Sequence, residues 1–170
     1  MVLIRKFDLR LIQINLGLYF CIYFFFIALN NVMDYDTNFQ FVYHVLEMDT
    51  IFKLENTEIR SIKSMLLKHF SYCFIITTEW IIFILAIIGV LGMCLNFNKQ
   101  EEYTKCQRYL IYSFHLSILL WFLGFLVIGG EWFLMWQSSQ WNGVYAAFRM
   151  TILAVLTLIV QTLTSGDENS

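Results

Sequence analysis

Three charged side chains, Glu79, Glu131 and Arg149, stand inside or at the edge of long apolar runs. An ionisable group in hydrocarbon is costly unless it meets a partner or carries protons or ions, so such residues are the first candidates for function. Glu79 lies in FSYCFIITTEWIIFILAIIGVLGMCL, and its helical face continues through Phe83, Ala86, Gly89 and Met93. Small residues at that spacing mark the close approach of a second helix. Glu79 is therefore expected to point into a bundle and not at lipid. Along the next run Ser113, Ser117, Gly124 and Glu131 recur at steps of four and seven, with Glu131 at the end. The expected chemistry is an ion pair of Arg149 with Glu131 or Glu79. Such a pair either fixes helix register or leaves the other carboxylate free to exchange protons. Arg149 lies off the face that carries Ala154, Thr157 and Gln161, so snorkelling to the headgroups is its other reading.

Other chemistry finds less support. His44, Glu47 and Asp49 could gather near one helix turn, a weak metal signal. His69 and His115 differ in depth by roughly 20 Å at 1.5 Å per residue, too far for two axial ligands of one haem. Cys21, Cys73, Cys94 and Cys106 form no C-x-x-C and no outward disulfide pair. Walker, G-x-S-x-G and H-E-x-x-H patterns are missing from the sequence. Asp34-Tyr35-Asp36 is a D-x-D tripeptide, but it reads as a solvated turn. No catalytic residue, metal or cofactor is called for.

The elements that must position these residues follow from composition. Of 170 residues 59% are hydrophobic and 14% charged, against about 25% charged in soluble domains. So few charges cannot cover a water-facing surface, whereas they suit a lipid-facing one. A net charge of −2 leaves no basic face for nucleic acid. Four stretches, about 11–32, 70–95, 110–130 and 144–163, reach the roughly 20 apolar residues needed to cross a bilayer. Their continuous apolar runs are helical and not the alternating pattern of barrel strands. The expected fold is thus an all-α four-helix transmembrane bundle, a single membrane domain over 1–170. The charged opening MVLIRKFDLR has no A-x-A cleavage site and a long apolar run behind it, and so reads as an uncleaved first span.

Cations set the expected orientation. Arg5, Lys6 and Arg10 precede the first span, and Lys99, Lys105 and Arg108 crowd the short 96–109 loop. The long 33–69 segment spreads Lys53, Arg60, Lys63 and Lys68 among six acids, and 131–143 has no Lys or Arg. That density places both termini and the middle loop in the cytoplasm, with segments 33–69 and 131–143 outside. In the first outer loop, Phe39, Val42, Tyr43 and Leu46 share one helical face. A second face, Ile59, Ile62, Leu66 and His69, would follow a cap at Asn56 or Thr57. Two amphipathic helices lying on the membrane or roofing the bundle are expected. The third loop, EWFLMWQSSQWNG, packs Trp132, Phe133, Trp136 and Trp141 between two spans. It reads as an interfacial half-helix with an Asn142-Gly143 turn, or as the aromatic mouth of a pocket for a lipid, a quinone or a partner helix.

Two stretches, NNVMDYDTNFQFVYHVLEMDT (30–50) and LLWFLGFLVIGGEWFLMWQSSQWNGVYAAFRMTILAVL (119–156), resemble a bacterial family of unknown function, the predicted small integral membrane proteins. The resemblance rests on Asn30, Asn31, Asp34, Tyr35, Asn38, Phe39, His44, Met48, Asp49, Thr50 and Glu79, and on Gly129 to Trp132, Trp136, Gln137, Trp141 to Gly143, Phe148 and Arg149. Lys53 departs from it, standing where the family often has proline. It implies a four-helix protein of the bacterial inner membrane and no particular activity. The residues themselves point to one polar and aromatic surface on the outer side, made of Asp34, Asn38, His44, Asp49, Trp132, Trp136, Gln137, Trp141 and Asn142, with the cluster Glu79, Glu131 and Arg149 beneath it. The expected role is a non-enzymatic binding or accessory subunit, in contact with bilayer lipid and with a partner subunit or a second copy. The rivals are a small oligomeric transporter or proton-coupled carrier using Glu79, and a membrane enzyme acting on lipid or quinone through Glu131, His44 or Asp49.

Overall fold

A computed structural model describes residues 5–52 and 57–163, with Glu58 known by its backbone alone. The helices are α1 (Lys6–Met33), α2 (Tyr35–Glu47), α3 (Met65–Leu95), α4 (Gln100–Ile118) and α5 (Val144–Thr162). α4 runs without a break into a π-wound segment, Leu119–Trp132. Four helices are long and apolar enough to cross a membrane: Lys6–Met33, Met65–Leu95, Gln100–Trp132 and Val144–Thr162. Each contains or nearly coincides with an expected span. At 1.5 Å per residue α3 is roughly 46 Å long, so its ends stand beyond the ~30 Å hydrocarbon layer.

The spans alternate in direction, giving the bundle two different ends. Arg10 donates to the Phe97 carbonyl and Gln13 to that of Leu163, which gathers both termini and the 96–99 turn at one end. The other end is roofed. α2 folds over it after a one-residue corner at Asp34 (φ −114°, ψ 50°), and 133–143 closes against it. As expected, α2 buries Phe39, Val42 and Leu46, which pack on Tyr72 and Ile76 of α3 and on Phe133. The expected second amphipathic helix does not form. After a 3₁₀ turn, Glu58–Arg60, the chain runs extended to Ser64, whose hydroxyl accepts from the Leu67 N–H and starts α3. Ile59 is exposed, and Leu66 and His69 already belong to the second span. The hydroxyl at residue 64 outcompetes the earlier cap, and Asn56 lies outside the described residues. The third loop carries a single 3₁₀ turn, Met135–Gln137.

α3 is the central helix, packed against both α1 and α4, with α5 on α4. Phe20 and Phe24 of α1, Ile82 and Ala86 of α3, Phe114 of α4 and Ala154 of α5 fill the core. One of its close contacts is built on glycine. A Cβ at Gly89 would sit 2.8 Å from the Leu110 backbone nitrogen, and one at Gly17 2.6 Å from the Leu110 side chain. Leu110 is thus a knob held between two helices that lack side chains at the contact, the small-residue packing that lipid-embedded bundles use.

The π-wound segment changes what faces the core. The i→i−5 pattern, seen where the Phe133 N–H meets the Ile128 carbonyl at 3.0 Å, takes more residues per turn than an α-helix. Ser113 and Ser117 are fully buried as expected, but Glu131 has rotated out and is exposed. The four-and-seven spacing does not survive the change of winding.

Gly89→Val forces the Leu110 backbone away and should cost about 1–3 kcal/mol, as overpacking does. The readout is a lower thermal-unfolding midpoint in detergent, whereas Gly124→Ala, where an added Cβ meets nothing closer than 3.9 Å, should leave the midpoint unchanged.

Candidate functional site at the roofed end

Glu79 sits at the fifteenth position of α3 and is 1% exposed. Its partner is Asn31, near the end of α1, whose Nδ2 donates to Oε2 at 2.7 Å. The amide's other side is also used: the Tyr72 hydroxyl donates to the Asn31 side-chain oxygen at 3.2 Å and to its carbonyl at 3.1 Å. Tyr72 and Glu79 are seven residues apart on one face of α3, so a single asparagine bridges two turns of the neighbouring helix. The Tyr72 ring lies 4.8 Å from that of Tyr35, and the Tyr35 hydroxyl reaches His69 Nδ1 at 2.9 Å. Burial, with Cys73 and Asp36 nearby, pushes the Tyr35 phenol up to about 12, so it stays a donor at neutral pH. A line of polar groups thereby runs from His69 at the roof to the carboxylate in mid-bundle. Arg149 is not part of it. Arg149 is exposed, as is Glu131, and among the described residues neither enters an ion pair. The expected pairing is absent because Arg149 lies off the buried stripe of α5 and Glu131 has turned outward.

The buried ion pair lies elsewhere. The Glu47 carboxylate, at the end of α2, takes Lys63 at 2.7 Å and, more closely, Lys68, whose side chain is 1% exposed. The Lys68 ammonium also stands 3.7 Å from the Tyr43 ring centre, a cation–π contact. This cluster fastens the roof helix to the second span. Hydrogen bonds from Lys63 and Lys68 hold the Glu47 carboxyl below its usual range despite partial burial.

The roof itself joins two segments far apart in sequence. Thr50 Oγ1 donates to Ser138 Oγ at 2.9 Å, and Gln137 Oε1 accepts from the Phe52 N–H at 3.0 Å. His44 bonds Asp49 through Nδ1 at 2.7 Å and stacks on Trp141 at 4.6 Å. Asn142 donates to the Trp136 carbonyl and accepts from the Val144 N–H, ordering the entry to α5. Gly143 is required for room: a Cβ there would lie 2.7 Å from the Phe41 ring. Of the expected surface residues, His44 therefore meets Asp49 and Trp141, Asn142 meets Trp136, and Gln137 meets the Phe52 backbone. Asn38 only reaches back to the Asn30 carbonyl, and Asp34 forms the corner. Trp132 carries the Arg60 guanidinium 5.5 Å above its ring, while Trp136 is 49% exposed. Met48 and Leu134 hold positive φ (57° and 54°), which costs a residue with a Cβ roughly 1–2 kcal/mol. Both lie in the roof, so the surrounding contacts must hold it in place.

Asn31, Tyr35, Tyr72 and Lys68 are the residues that sequence reasoning did not assign. Asn31 was visible as a polar residue at a span end, one turn before a D-Y corner. No spacing rule links it to Glu79 across 48 residues. Lys68 looked like an ordinary interfacial lysine.

Because Glu47 has its folded-state value depressed, its contribution to stability is present above the unfolded carboxyl value, near 4.3, and is lost as pH falls through the folded value. Glu47→Gln should therefore be less stable than wild type at pH 7 by roughly 3 kcal/mol, as when a buried pair loses one member. The gap should narrow on acidification to about pH 3, measured by thermal unfolding at the two pH values.

The sequence pattern of the family described as predicted small integral membrane protein (DUF2165) matches residues 9–164. No curated protein and no solved structure matches the chain. The match spans all four membrane helices, the roof and the Glu79 network, and the chain belongs to this family of small integral membrane proteins.

Proposed function

We propose that this protein is a non-catalytic binding or accessory component of the bacterial plasma membrane, and that its recognition face is the roof. Both termini lie in the cytoplasm in this reading, so the roof faces out. The observation that carries it is the cross-linking of residues 44–52 to 137–141 by side chains. Loops that only return the chain need no such lock, nor two left-handed residues held under strain. Trp132 and Trp136 in the roof are exposed, as are Tyr145 and Phe148 at the start of α5. Such aromatic side chains supply most of the binding energy at protein and lipid interfaces.

Native mass spectrometry from mild detergent should find the wild-type protein with a second subunit or bound lipid. The double variant Trp132→Ala with Trp136→Ala should lose it by about tenfold or more, since one such anchor is worth 2 kcal/mol or above. A bare monomer in both cases would end this reading. In a background lacking the four native cysteines, a cysteine placed at exposed Ser139 should react with an impermeant maleimide from the periplasmic side. Labelling only from the cytosol would reverse the proposed orientation.

One observation favours a second reading, a proton-coupled carrier. Among the described residues Glu79 is buried without a cation, and beyond the Asn31–Tyr72 bridge the Tyr72 ring packs on that of Tyr35, which bonds His69 at the roof. A carboxylate placed this way in hydrocarbon is a proton-site candidate. Glu79→Gln, which keeps the acceptor for Asn31, should preserve the fold while slowing proton flux into liposomes loaded with a pH dye. Equal flux in wild type and variant would eliminate the carrier.

A further inference from the structure

An apolar groove of about 360 Å³ opens below the roof between α2, α3 and the π-wound segment. This is within the roughly 300–1,000 Å³ of small-molecule sites. Phe41 and Val45 of α2 form its ceiling, Phe74 of α3 one wall, and Gly124 and Ile128 the other. Its one polar side chain is that of Ser71, whose hydroxyl already donates to the Leu67 carbonyl at 2.8 Å. Water finds no partner there. The groove stays open for two reasons. Gly124 contributes no side chain and leaves an added Cβ nothing within 3.9 Å, and the π winding moves the neighbouring side chains off the α register. The i→i−5 turn, commonly found at functional sites, lines this wall over its whole depth.

The surroundings of the groove point to what fills it. The mouth is edged by Phe70, Phe74 and Ile128, all exposed on membrane-crossing helices, so it opens onto hydrocarbon and not water. At its outer rim Ile62 and Phe133 line the groove. Two residues before Ile62 and one before Phe133 stand Arg60 and Trp132, the cation–π pair. Among the described residues Arg60 forms no ion pair, and its guanidinium lies over the Trp132 ring beside the residues of the groove's rim. A quinone carbonyl accepts a hydrogen bond but leaves the guanidinium charge without a counter-ion, which a phosphate supplies.

We propose that this groove holds one acyl chain of a phospholipid from the leaflet on the roofed side, with the lipid phosphate at Arg60. The inference deepens the reading of the roof as a binding face and rests on it, naming the ligand class. The lipid is a resident of the site, distinct from the shell that any membrane protein carries, because the chain lies under α2 and not against the outer surface of a span.

The test reconstitutes the full chain in nanodiscs of phosphatidylethanolamine and phosphatidylglycerol containing a trace of phosphatidylglycerol with a diazirine in its acyl chain. After photolysis, labelled peptides are mapped. Wild type should concentrate label on peptides containing Phe74, Ile128 and Phe133, above the lipid-facing baseline at Phe26 and Leu91. Gly124→Leu, which fills the groove, should lower that labelling by about tenfold, the equivalent of two methylenes losing their burial, and Gly124→Ala should retain it. Arg60→Gln should reduce labelling by the anionic probe and by a phosphatidylcholine probe, since both carry the phosphate that the charge-assisted contact uses, and the anionic probe should lose more because no choline offsets its charge. Uniform labelling of the wild-type helices would overturn the proposal without any variant having to fold. So would preferential labelling by a diazirine quinone, or cross-links to a second polypeptide from the groove peptides. If the groove is unlabelled while native mass spectrometry still finds a subunit lost with the Trp132 and Trp136 substitutions, the lipid site fails alone and the roof reading stands.

Discussion

In hydrocarbon a polar side chain has no water to fall back on, and this single constraint organises the whole bundle. Several of the polar side chains the spans carry inward are met by groups the sequence places far away, whereas Thr78 and Thr151 bond the carbonyl four residues back and Ser117 Oγ and Trp121 Nε1 meet no partner among the described residues. Gln13 and Gln161 are met reciprocally, each donating to backbone carbonyls of the other's helix, while Gln107 donates to the Gln161 carbonyl and Tyr103 to Gln13. Arg10 is capped by the Phe97 carbonyl and Gln100 and lies over the Tyr103 ring. These contacts tie α1, α4 and α5 together at the terminal end. At the opposite end Glu47, Lys63 and Lys68 tie the roof to α3. Between the two, Asn31 and Glu79 join α1 to α3. Polar contacts thus fix three levels along the axis, and apolar packing fills the space between them.

The levels differ in how fully they are satisfied. At the terminal end amides and a guanidinium meet carbonyls and an aromatic face, an arrangement that can set register without any need to change. The middle level is unlike it. Among the described residues the Glu79 carboxylate has one amide donor and no cation, which is not the cheapest way to hold two helices together, and it shares that asparagine with the Tyr72 hydroxyl. The roof level combines an ion pair with two strained residues and a stacked His44–Trp141 contact. Unusual chemistry therefore accumulates toward one end, while the other end is conventional packing.

The π-wound stretch links these levels. By using more residues per turn, Leu119–Trp132 turns Glu131 outward, keeps Gly129 and Gly130 buried, and opens the wall beside Gly124. The local winding of one helix thereby decides both the fate of a charged residue and the presence of the groove.

Much of this was determined by the sequence alone. The four spans follow from apolar length, the buried face of α2 from the spacing of Phe39, Val42 and Leu46, and the inward position of Glu79 from the small residues at Ala86 and Gly89. All three depend on local periodicity, which a chain carries in its own order of residues. What only the tertiary structure decided were the partners: Asn31 for Glu79, Lys68 for Glu47, Trp141 for His44, and none among the described residues for Arg149. Likewise the α-to-π change has no mark in LLWFLGFLVIGGEW that distinguishes it from an ordinary apolar helix. Partner choice depends on how helices far apart in sequence are rotated and staggered against each other, and winding depends on what those neighbours leave room for. Periodicity fixes which side of a helix is buried, but only packing fixes what it is buried against.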